Sequence, residues 1–377
     1  MKTSASKKHE PERGVKGFFR RLFGGSTAAP EVPRAGAPKL QRTAAETGFG
    51  GEPQNDNIGT NAEYCPELAP HAAALQLDLV EPPALTEEQR SHVQSLAAVI
   101  LQGQAADEAI PSGLPTASLR ILNLVARPEL EVNELASAVQ QDPSLTAALL
   151  RVANSAALGA AAGPIRTVRE AITRLGIAES GRIVGSVAAQ ALFSPEAKLA
   201  KSLFRARLSE LHVAAATIAG GAAQLSMERN TGRSDLTYLG GMLHEVGKTL
   251  VLGKVAQLVQ LKEVPEDLDP PVLDALLDRA HVTLGSRAHR RWELPEYLCE
   301  LCETQNEPAL SRDGEHAEQH LVRVVSGLYT LRVRPLPRER LLQIADSLQA
   351  LGITPVQARA LESGLKARAQ QVRQILG

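Results

Sequence analysis

Two stretches place apolar residues at i, i+3, i+4 and i+7 behind a capping signal. Leu145, Ala148, Leu149 and Val152 follow Asp142-Pro143, and Val168, Ala171, Ile172 and Leu175 follow Thr167, with Glu170 completing a capping box. An aspartate that can accept from backbone N–H groups, a proline at the first helical position and a glycine at 176 read as helix starts and a stop. Similar signals run from about residue 85 to the end. Thr86 is the expected cap of an entry helix in "LTEEQRSHVQSLAAVILQ", and Asn133 that of "ELASAVQQ". Further helices are expected over about 180–193, 201–226, 236–259, 271–291, 295–304, 315–332, 337–350 and 355–375. With no period-2 strand pattern and no fixed-length repeat, the reading is all-α.

Composition narrows the function classes. Of 377 residues 44% are hydrophobic but only 3% aromatic, so the core must be built from Leu, Ala, Val and Ile. Lys+Arg 41 against Asp+Glu 42 leaves no broad basic surface, so no nucleic acid is expected as a partner. No run approaches the roughly 20 apolar residues of a membrane-spanning helix, and the N-terminus lacks the apolar centre of a secretion signal. Three cysteines, Cys65, Cys299 and Cys302, do not make a disulfide framework. These features predict a cytoplasmic protein.

Residues 1–66 are rich in Gly, Pro, Ser, Thr, Asn and Ala without periodicity and are expected to form a disordered tail. Within it, residues 14–25 hold a basic aromatic island: Phe18, Phe19, Leu22 and Phe23 at helical spacing, interleaved with Arg20 and Arg21. Such an island suits docking in a partner's groove or on an anionic membrane surface, the latter giving peripheral contact with the inner membrane. Residues 67–110 are expected to be a linker and the entry helix.

The segments "LPTASLRILNLV", "QQDPSLTAALLRVANSAALG", "PIRTVREAITRLG", "YLGGMLHEVGK", "AHVTLGSRAHRRWELPEYL" and "QNEP" occur in the order seen in the HDOD domain, the HD-related output domain of bacterial signalling proteins, which this chain resembles. The resemblance implies a domain over 111–377, with an HD-like half at about 200–332 and C-terminal helices at 337–375. It also implies a two-lobed helical bundle related to metal-dependent phosphohydrolases, in which the catalytic ligands have usually decayed.

A working centre of that type needs several converging His and Asp ligands and an open position for water. In the resemblance, His244 and Glu245 stand at the His-Asp pair, His212 at an upstream ligand histidine and His281 at another histidine position. Gln305 and Asn306 then replace paired histidines, and amides are poor ligands for transition metals. Ser326 and Gly327 stand where Ala-Asp is expected. The site is therefore read as vestigial, with no metal, no cofactor and no catalytic residue.

His244 and Glu245 are expected to satisfy each other as a buried imidazole–carboxylate pair, and Lys248 to be a solvated helix-end lysine. Cys299 and Cys302 read as small core residues and Trp292 as a plug between helices. Asn154 and Ser155 read as a helix terminus. The expected function is that of a non-enzymatic signalling module that binds a protein partner, with a nucleotide messenger as a further ligand. The alternative is a phosphohydrolase or phosphodiesterase acting on nucleotides or cyclic dinucleotides.

Overall fold

The computed structural model describes residues 63–102, 116–127, 129–154, 164–190, 198–305 and 317–376. The aromatic island with Phe18, Phe19, Arg20, Arg21, Leu22 and Phe23 lies outside them, as do Ser155 and Asn306. In chain order the helices are α1 (Ala69–Leu75), α2 (Glu87–Leu101), α3 (Thr116–Val125), α4 (Val132–Gln140), α5 (Pro143–Ala153), α6 (Val168–Leu175), α7 (Ile177–Gln190), α8 (Lys198–Leu203), α9 (Arg205–Arg229), α10 (Ser234–Leu243), α11 (Val246–Gln260), α12 (Pro270–Arg291), α13 (Glu296–Thr304), α14 (Ala317–Leu331), α15 (Arg338–Ala350) and α16 (Pro355–Leu376). Among the described residues there is no strand, and no helix is long and apolar enough to cross a membrane.

The expected caps are in place at three helices. Thr86 Oγ1 accepts from Gln89 N at 3.2 Å, and Gln89 Oε1 accepts from Thr86 N at 2.8 Å. Asp142 Oδ1 accepts from Ser144 N and Leu145 N, and Thr167 pairs with Glu170 as a capping box. Asn133 is not the cap of α4. The helix begins at Val132 behind Glu131, whose N–H donates to the Glu134 carboxylate, so Asn133 sits inside the first turn.

Two lobes result. Helices α3 to α7 pack on one another, and α9 forms the spine of the second lobe, touching α10, α14 and α16. Helix α7 crosses between them by packing on α10, where Ser186 and Tyr238 are hydrogen-bonded at 2.8 Å inside the core. One hydrophobic cluster runs from α2 through the first lobe into α10 to α12, and another joins α1, one face of α9, and α14 to α16.

The expected tail and linker contribute to this second cluster. Cys65 is 0% exposed, Leu68, Ala72 and Leu75 are buried, and α1 packs against α16. The apolar residues Leu68, Ala72 and Leu75 recur at near-helical spacing, too short a stripe to stand out from a loop-like composition.

The helix expected over 236–259 is broken at its centre, at His244 and Glu245, where α10 ends and α11 begins. Two glycines flank the break. A methyl group on Gly241 would lie 2.6 Å from Ala219 Cα in α9, and one on Gly247 would lie 1.8 Å from the His281 carbonyl oxygen in α12. The turn is thus seated against main chain on both sides, an approach that only residues without a Cβ permit.

Candidate functional site

His244 is the last-turn cap of α10, and its main-chain N–H donates to Gly240 O at 2.9 Å. Its Nδ1 lies 2.9 Å from Gly241 O. A carbonyl can only accept, so Nδ1 carries the proton. Nε2 then accepts from the Ser326 hydroxyl of α14 at 3.1 Å. Burial lowers the pKa, with Lys248 and Arg340 adding to that effect and Glu245 opposing it, so the ring is neutral and has both nitrogens occupied.

Glu245 does not pair with this imidazole, contrary to the sequence expectation. Its carboxylate accepts from the Lys248 ammonium three residues on, at the start of α11. Burial would raise the Glu245 pKa, but the Lys248 ammonium, foremost, holds it well below the usual carboxylate range. Lys248 is correspondingly not a solvated helix-end residue: its side chain is 11% exposed. The geometry of an i, i+3 pair at the first turn of α11 explains the difference, since it folds the lysine back over the turn.

His281 lies on α12, with Nδ1 donating to Leu277 O at 2.9 Å and Asp278 O at 3.0 Å. Burial, helped by the Lys248 charge, pushes its pKa down to about 4, which leaves Nε2 a lone-pair nitrogen. His212 on α9 is partly buried, and burial likewise pushes it down to about 4. The Lys248 charge acts on both His244 and His281, and both act with it on Glu245, which ties these three together.

Gln305 ends α13 and is 4% exposed. Its main-chain oxygen accepts from Arg340 at 2.5 Å, while neither Nε2 nor Oε1 has a partner among the described residues. Ser326 is spent on His244, and Gly327 makes room for α15, since a methyl there would meet Ile344 Cγ1 at 2.4 Å. Cys299 and Cys302 are buried at 1% and 0%, and burial raises their thiol pKa values to about 11 and about 12. Trp292 is 3% exposed at the end of α12. Asn154 donates to Leu150 O and Ile165 O and accepts from Ile165 N, tying the end of α5 to the segment that leads into α6.

Three members of the cluster escaped the sequence reading. Asp278 on α12 accepts from Arg334 through both oxygens, at 2.6 and 2.7 Å. Arg340 is partly buried, and its charge is felt by His244. The Asp278 pairing spans 56 residues, a separation that leaves no local pattern; the signal present was an arginine-rich "RVRPLPRER" placed between two amphipathic helices. With neutral histidines the cluster holds two carboxylates, Glu245 and Asp278, against three cations, Lys248, Arg334 and Arg340.

A divalent metal does not fit this donor set. His244 has no free lone pair, Glu245 is engaged by an ammonium, Asp278 is engaged by a guanidinium, and no three His, Cys, Asp or Glu side chains converge as ligands among the described residues.

The HDOD domain family model matches residues 110–308, more than half of the chain. The chain belongs to the HDOD family. Solved structures similar to this HDOD chain include a candidate metal-dependent phosphohydrolase from Shewanella amazonensis SB2B, 20% identical, with a TM-score of 0.56 over 78% of this chain and 100% of that one. An HDOD domain protein of unknown function from Geobacter sulfurreducens is also 20% identical, with a TM-score of 0.52 over 76% and 98% of the two chains. A candidate signal transduction protein from Marinobacter aquaeolei VT8 gives 0.50 at 20% identity, over 86% of this chain and 68% of that one. At these identities the likeness carries the HDOD fold alone. An uncharacterized protein of Treponema pallidum (strain Nichols) is 26% identical over 190 residues, 48% of this chain; the match spans only 35% of that relative.

Proposed function

We propose that this HDOD chain is a non-catalytic regulatory module of a bacterial signalling pathway, acting by binding a protein partner. The observation that carries the reading is the occupation of His244, which donates to Gly241 and accepts from Ser326 and so has no lone pair left for a metal that would activate water, while its neighbour Glu245 holds Lys248. On this reading the HDOD domain extends over 111–377, His212 and His281 are vestiges of ligand positions, and Gln305, Asn306, Ser326 and Gly327 mark where ligands were lost. The protein works in the cytoplasm, with residues 14–25 as a docking island for a partner or the inner-membrane surface. A nucleotide messenger is a second class of ligand, and nucleic acid is not one.

The competing reading is a phosphohydrolase acting on nucleotides or cyclic dinucleotides, which the name carried by the Shewanella structure brings into view. Metal analysis of the purified full chain, with a turnover screen on nucleotides and cyclic dinucleotides, separates the two. Inert protein, whose partner captured by pull-down is lost when residues 14–25 are deleted, supports the module. Turnover that disappears in His244→Ala overturns it.

A further inference from the structure

A cleft of about 280 Å³ runs between α9 and α16. The two helices are antiparallel there: Gly221 lies against Leu365, and eight residues on Arg229 donates to Leu351 O, just before α16 begins. We propose that residues 43–62 of this same chain dock in the cleft, with Phe49 and Ile58 as the apolar anchors. The inference goes beyond the signalling reading and does not depend on it, and it leaves residues 14–25 to a partner.

The cleft has an apolar floor and a polar rim. Leu225, Ile353 and Leu365 form the floor, while Ala360 is exposed and a methyl on Gly364 would meet nothing within 4 Å, so side chains from elsewhere have room to enter. Three observations name the occupant. The first is continuity: α1 already packs on α16, and its His71 Nε2 donates at 2.9 Å to the main-chain oxygen of Ile353, at one end of the cleft. Residues 43–62 lead directly into that interface. The second is reach, since an extended chain from Phe49 to Glu63 covers about 45 Å, several times the diameter of about 10 to 12 Å of the helix it must pass. The third is charge. Residues 43–62 hold Glu46, Glu52 and Asp56 and no Lys or Arg. Arg229 and Arg368 stand at the two ends of the cleft, and its one acid, Glu228, already accepts from Gln224 at 2.7 Å. Arg359 and Lys366 add positive charge on the exposed side of α16. An acidic segment is drawn to this rim, whereas the basic island at 14–25 would meet like charge.

The test uses the full chain with one added thiol, against the background of Cys65, Cys299 and Cys302, which are at most 1% exposed. Ala360→Cys puts that thiol in the cleft. Its alkylation by iodoacetamide, followed by intact mass, should run at least about tenfold faster once Phe49→Ser and Ile58→Ser are added, because the covering segment is then released. Ser363→Cys, on the exposed side of α16, should react at one rate in both backgrounds. Should Ala360→Cys fail to fold, Gly364→Cys gives the same reading from a position with open space. Equal rates at the cleft thiol with and without the anchors overturn the proposal. So does protection that grows with protein concentration, which would mean that a second copy covers the cleft. Protection that holds at every concentration and weakens with added salt supports docking within the chain.

Discussion

The Gly241 carbonyl fixes which nitrogen of His244 carries the proton, and the lone pair left on the other is filled by the Ser326 hydroxyl. Removing that hydroxyl should leave a buried imidazole nitrogen unsatisfied. Ser326→Ala is expected to cost about 1 to 3 kcal/mol, read as a lowered urea midpoint; an unchanged midpoint would mean that the bond contributes nothing. Residue identities at this site were legible, but partnerships were not. His244 and Glu245 stand side by side in sequence, and adjacency suggested mutual pairing, whereas the turn sends one side chain toward α14 and the other back to Lys248. Asp278, Arg334 and Arg340 come together only through tertiary contact, which single-sequence periodicity cannot report.

At the level of elements, the caps and stripes were readable because their determinants are local: Thr86, Asp142-Pro143 and Thr167 act within four residues of themselves. Thr86→Ala should lower stability by about 1 kcal/mol, and fraying of α2 in hydrogen exchange would accompany it. The break between α10 and α11 was not readable, since apolar spacing continues through it and no proline marks it. Its cause lies on other helices, in the main chain of Ala219 and the carbonyl of His281. Gly247→Ala should accordingly cost at least about 3 kcal/mol, since backbone rather than a flexible side chain lies 1.8 Å from the added carbon. A melting temperature within a degree of the native protein's would contradict that contact.

For the whole molecule, buried neutral histidines set the acid response. His212, His281 and His289 have pKa values pushed down to about 4, foremost by burial, from an ordinary 6.5. The unfolded chain therefore binds more protons between those values, and stability that is full above pH 6.5 is lost as pH falls toward 4, on the order of 1 to 3 kcal/mol for each imidazole. Glu245, held below the usual carboxylate range, extends the loss below pH 4.5. Thermal unfolding at pH 7.5, 6 and 5 should show a steady decline; a flat profile would require these rings to be protonated in the fold. The fold class was legible at this scale because nearly every helix carries its own pattern. The seating of Cys65, Leu68 and Leu75 in the second core was not, because seven-residue α1 is held by α16 rather than by its own propensity.

The glycines on either side of His244 and Glu245 carry one more implication. The turn between α10 and α11 is held by main chain meeting main chain, so its course does not depend on which side chains stand at 244 and 245. Charge and hydrogen bonding there can be rewritten while the path from one helix to the next stays as it is. At the two glycines the reverse holds: a single added carbon moves the path and leaves the charges as they were.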